Sequence, residues 1–162
     1  MVVRITKARH AERPHTLTCF RDDGTSCGQR SHDFFIRHDL THFAVESVLG
    51  YREAFYGLLN QGWDFSTFEE REPGSAKVRS MPLEAGKAEC LAGAFDVELT
   101  AGPQPNETIA ALFAEYGIAA PEITVESIAR IRARRDDLLA RWHALSPGES
   151  MELQFPPLAA SR

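Results

Sequence analysis

Residues 2–7 (VVRITK) alternate apolar and polar side chains, with Val3 and Ile5 on one side. That two-residue period predicts a half-buried strand. Residues 15–22 (HTLTCFRD) are rich in β-branched and aromatic types and predict a second strand. Asp23-Gly24 forms a turn pair after it, so residues 25–30 are expected to return antiparallel. The pattern changes at Ser31-His32-Asp33, where Ser31 or Asp33 is suited to cap a helix. Residues 34–49 (FFIRHDLTHFAVESVL) contain no Gly or Pro and predict a helix that Gly50 ends or kinks. A further helical stretch is expected over 51–61, with Gly62 as its left-handed stop.

Residues 63–79 mix Ser, Pro, Gly and charges, the composition of a long surface connection whose Glu69, Glu70 and Glu72 are solvated. Residues 83–99 are Ala-rich and predict a helix; Gly86 and Gly93 weaken it and leave a strand over 95–99 as the alternative. Asn106 caps a helix reaching about Tyr116, stopped by Gly117. Thr124 caps the longest helix, 125–145, which Ser146-Pro147-Gly148 closes. Residues 151–155 (MELQF) alternate again, and Pro156-Pro157 ends that last strand. Strands at both ends with helices between them define an α+β fold, with an antiparallel sheet from the N-terminal strands and the C-terminal strand, packed against several helices. No internal repeat or linker divides the chain, so 1–162 is read as a single domain.

The chain has 162 residues, 43 % hydrophobic and 25 % charged, which excludes a disordered or collagen-like polymer. No apolar run approaches the roughly 20 residues of a spanning helix, so no membrane span is expected. A net charge of −5 argues against general nucleic-acid binding. The first residues lack a signal peptide's apolar block. Three cysteines without a C-x-x-C pair fit a reducing, cytoplasmic setting, although Cys19 and Cys27 could face each other across the hairpin. There is no phosphate-binding glycine loop and no G-x-S-x-G elbow.

The chemistry concentrates in HDLTHFAVE. On a helix, residues four apart differ by about 40°, so His38 and His42 stack on one face. Glu46 extends the row, and Glu53 returns to within roughly 20° of His42 on a continuous helix. Two imidazoles and a carboxylate form a three-ligand set for zinc or another divalent metal, with one coordination position left for water. His38, His42 and either Glu46 or Glu53 are therefore the candidate ligands. Asp39 stands where the H-E-x-x-H motif has its general base, and is the candidate catalytic residue or a partner that holds an imidazole N–H. The helix is apolar nearly all round, so it is expected to be buried, and its polar groups need partners. Protons should compete with metal in the histidine range, near 6.5 before any perturbation.

HDLTH followed by Glu53 resembles the H-D-x-x-H…Glu zinc motif of a ubiquinone-biosynthesis protein family. Ten residues separate His42 from Glu53, where that family has eleven. The resemblance covers about sixteen residues and implies metal ligation by His38, His42 and Glu53, with Asp39 in the same motif. The longer stretch from the DGT turn through HDLTHFAVESVLG is similar to a group of uncharacterised bacterial proteins, which implies no activity.

Arg130, Arg132, Arg134 and Arg135 form a basic cluster, but Glu126 and Asp136 stand at ion-pairing distances along the same helix. The apolar stripe of that helix is core or, as a sharper reading, the seam of a homodimer. Tyr51, Phe55, Tyr56, Trp63, Phe65 and Phe68 are core, or wall a pocket for an apolar small molecule beside the metal. Two functions follow. One is a zinc-binding protein or small metal-dependent hydrolase or lyase. The alternative is a metal-free structural or protein-interaction module.

Overall fold

A computed structural model describes residues 1–69, 81–102, 106–115, 117, 119 and 123–156. Its sheet has four strands: β1 (Val2–Thr6), β2 (His15–Phe20), β3 (Ser26–Ser31) and β4 (Ser150–Gln154). Their order is β3-β2-β1-β4, and every pairing is antiparallel. The closing strand thus pairs with the first strand rather than with the hairpin.

Alternation decides which face is buried. Val3 lies opposite Cys19 on one side and Leu153 on the other; Ile5 lies opposite Leu17 and Met151. All six are buried and form one apolar layer. The other face carries Arg4, whose Nε donates to Glu152 Oε1 at 2.8 Å, and the Thr6–Ser150 hydroxyl pair. At the hairpin tip the Asp23 carboxylate accepts the Thr25 N–H. Cys19 and Cys27 are register partners with free thiols.

The described residues form five helices, α1 (Asp33–Leu49), α2 (Phe55–Asn60), α3 (Leu83–Ala101), α4 (Asn106–Glu115) and α5 (Val125–Ala144), of which α1 and α2 lie against β2. A 3-10 turn spans Phe65–Glu69. Helix α1 is the hub and touches α2, α3, α5 and β2. Its buried residues run continuously from Asp39 to Glu46, as an all-round apolar pattern requires. The Thr124 hydroxyl caps α5 by accepting the Ser127 N–H. Among the described residues no helix is long and apolar enough to cross a membrane.

Two local expectations need correction, and one alternative falls away. His32, not Ser31 or Asp33, precedes α1, and no side chain caps it. The Asp33 carboxylate instead accepts the Trp142 indole N–H from α5 at 2.8 Å. Residues 95–99 belong to α3, so the helix expected over 83–99 holds and its strand alternative does not. The stretch 51–61 is helical only from Phe55, because Gly50 adopts φ 74° and breaks the path of α1. The Arg52 and Glu53 N–H groups that this break frees both donate to the Glu84 carboxylate. The acidic residues Glu70 and Glu72, the end of α4 at Tyr116, and Pro157 lie outside the described residues.

Candidate metal centre

His38 and His42 share one face of α1, and their ring centroids are 4.7 Å apart. Their partners come from α3, which packs against α1. His38 Nδ1 lies 2.6 Å from Asp96 Oδ2, and the Thr41 hydroxyl donates to Asp96 Oδ1 at 2.8 Å. His42 Nδ1 lies 3.3 Å from Glu46 Oε1, while Glu46 Oε2 accepts the backbone N–H groups of Tyr56 and Gly57. Each histidine therefore has its Nδ1 against a carboxylate whose second oxygen is already held. Gly57 can approach this closely only without a side chain: a Cβ there would stand 2.0 Å from the Arg52 carbonyl oxygen.

Both Nε2 atoms turn to a third carboxylate. Glu89 Oε2 is 3.0 Å from His42 Nε2, and Glu89 Oε1 is 3.8 Å from His38 Nε2. The ligand atoms of His38, His42 and Glu89 lie within 4.8 Å of one another. Zinc ligands at 2.0–2.1 Å in a tetrahedron stand roughly 3.3 Å apart, so small side-chain movements would close these three on one ion. His42 is buried, His38 half-buried and Glu89 exposed, so the group opens outward on the Glu89 side.

The electrostatics follow from this packing. Burial opposes a charged His38 ring, but the bonds to Asp96 and Glu89 outweigh it and push its pKa up to about 10. Burial opposes charge on His42 too, and Glu46 and Glu89 push it up to about 9. The hydrogen bonds of the two histidines hold the Glu89 carboxyl well below the usual range. Burial raises Glu46, against the pull of His42 and two backbone N–H groups. Proton competition for the imidazoles therefore sits far above the unperturbed 6.5 expected from sequence.

The sequence-predicted residues separate on this frame. His38, His42 and Glu46 come together, with Glu46 on the Nδ1 side of His42 and opposite the shared Glu89. Glu53 is exposed and does not join the group, because α1 ends at Gly50. Asp39 is buried and also stands outside the group of ligand atoms. Its Oδ2 has no hydrogen-bond partner, and burial pushes its pKa up to about 7. Its field reaches His42 and His38, and on its other side Cys19.

Sequence reading missed Glu89 and Asp96. They are seven residues apart on an Ala-rich helix, hence within about 20° of one face. Two acids seven residues apart on one stripe of an Ala-rich helix were the available signal.

No family model matches the chain, and no curated protein or solved structure does so either.

Proposed function

We propose that this chain binds a divalent metal, with zinc the best fit, and is a small metal-dependent hydrolase or lyase. His38, His42 and Glu89 are the ligands; Glu46 and Asp96 orient the two imidazoles. One observation carries the reading. A carboxylate only accepts, so Asp96 and Glu46 hold the ring protons on Nδ1 and leave both Nε2 lone pairs facing the Glu89 carboxylate. Two lone pairs and an anion converge there, and only protons or a cation satisfy them. A dication with neutral rings leaves the same total charge as two imidazolium protons. In an open three-ligand set zinc supplies activated water at neutral pH. Asp39 stands beside the set as a buried acid that modulates its field, not as a ligand.

The second reading is a metal-free structural or interaction module. It is favoured by the same contacts with both rings protonated, since each ring nitrogen already faces a carboxylate. Exposed Phe34 and Phe35 would then offer a face to a partner or a second copy.

Elemental analysis of untagged protein separates the two. Near-stoichiometric zinc that His42→Ala loses supports the first reading. Protein free of metal, and still free after zinc addition and desalting at pH 8, establishes the second.

A further inference from the structure

Three cavities meet at Glu89. One of about 300 Å³ is closed by His42 and Glu89 and walled by Phe55, Phe68, Met81 and Ala85. A second of about 540 Å³ is closed by His38, Glu89 and Asp96 and walled by Phe34, Phe35 and Val97. A third of about 330 Å³ bridges them along α3, over Cys90, Ala94 and Leu112. Gly86 and Gly93 border the bridging space at its two ends. A Cβ at Gly93 would meet no atom within 4 Å, so the missing side chain there leaves open room rather than relieving a clash.

The polar groups thus sit at the middle of a groove whose two ends are apolar. Phe34 and Phe35 are 66 % and 55 % exposed, an unusual position for two adjacent aromatic residues beside a charged cluster. The acids are held by donors of the protein, and beyond His38, His42, Glu89 and Asp96 no charged side chain among the described residues lines either end. Both Asp96 oxygens are taken by Thr41 and His38, and Glu89 faces the two imidazoles.

Resting on the metal reading above, we infer that the site takes an uncharged carboxylic ester or amide with an apolar group on each side of its carbonyl. One arm lies against Phe55 and Phe68, the other against Phe34, Phe35 and Val97, and the carbonyl lies over the His38–His42–Glu89 set. Hydrolysis balances with water alone. The water oxygen bonds to the carbonyl carbon, the acyl–O or acyl–N bond breaks, and the leaving atom takes a hydrogen of the water. The products are an acid and an alcohol or amine, with no oxidant or reductant involved.

The test uses zinc-loaded protein and three hydroxamic acids, which present a chelating carbonyl: acetohydroxamic acid, phenylacetohydroxamic acid and N-benzyl-phenylacetohydroxamic acid. Calorimetry reads their dissociation constants. Each benzyl arm should tighten binding about tenfold, the effect of burying a ring of that size in part. Gly93→Leu, which fills the His38 end, should bring the two-armed probe back to the affinity of the one-armed probe and leave acetohydroxamic acid unchanged. Phe34→Ala/Phe35→Ala should weaken the two-armed probe in the same direction. Equal affinity for all three probes, or indifference of the two-armed probe to both variants, overturns the groove and leaves the metal site standing. Failure of the wild-type protein to load zinc overturns both.

Discussion

Among the described residues helix α3 makes charged contacts with α5 and with α1, and they behave differently. Toward α5, Glu98 receives Arg132 at 2.6 Å and Arg135 at 3.1 Å, and Arg135 also donates to the Phe95 carbonyl. Toward α1, Glu89 and Asp96 receive His38 and His42. Both contacts place carboxylates against cationic side chains across a helix–helix seam. A guanidinium is a permanent cation, so the Glu98 contact serves packing. Imidazoles exchange their protons in an accessible range, so the α1 contact can change its protonation state, and under the proposed function a metal would take the place of those protons. The lesson is that burial of charge does not mark a functional site by itself; what separates the two contacts is whether their cationic groups can give up a proton.

The largest expected effect breaks the permanent contact. Glu98→Ala leaves buried Arg135 with the exposed Asp136 carboxylate alone and should cost about 3 kcal/mol in denaturant unfolding, equally with and without zinc. A zinc-dependent loss would mean that the two contacts are not independent.

Zinc should act only on the α1 contact. At free zinc about a hundred times its dissociation constant, pH 8, it should add about 2.7 kcal/mol of stability, by preferential binding to the folded chain. His38→Ala/His42→Ala should abolish the gain. Asp96→Asn removes the carboxylate behind His38 and should weaken zinc about 10–100-fold in a competition titration while keeping the fold. Unchanged affinity would remove Asp96 from the site.

Acid and base responses sharpen the contrast. Unfolded, both histidines titrate near 6.5; folded, they titrate near 10 and 9. The folded chain holds these protons more tightly, so their contribution is complete below pH 6.5 and is lost as pH rises toward 9–10. Metal-free protein should therefore lose on the order of 1–2 kcal/mol across that window, once solvent screening is allowed for. Zinc stabilisation should grow across the same window, because metal replaces protons. Thermal melts at several pH values should fall with pH without zinc and stay nearly level with saturating zinc, because neither the zinc-bound nor the unfolded chain then holds these protons.

The fold was largely legible because its signals were periodic. The two-residue alternation of residues 2–7 and 151–155 marked the central strand β1 and its edge neighbour β4, and Asp23-Gly24 marked the hairpin. The i, i+4 spacing placed His38 and His42 on one face. What sequence hid was tertiary. Glu53 was projected along a helix that Gly50 ends, and a single left-handed residue moved it out of reach. Glu89 lies 47 residues beyond His42, on a helix whose docking no local pattern announces.

The smallest expected effect concerns Asp39. Its carboxyl titrates near 7 folded and near 3.8 unfolded, so its charge opposes folding increasingly from pH 4 to 7 and constantly above. Asp39→Asn should stabilise by about 1 kcal/mol at pH 8 and progressively less in acid. A destabilised variant at pH 8 would show that the carboxylate has a partner in solution.

The central claim is that the cation between His38, His42 and Glu89 is exchangeable. Zinc titration by calorimetry at pH 8, in two buffers of different ionisation enthalpy, counts the protons that metal displaces. At that pH both rings are charged in the metal-free protein. The account predicts one zinc bound with about two protons released, and neither in His38→Ala/His42→Ala. No saturable binding, or binding without proton release, would contradict it.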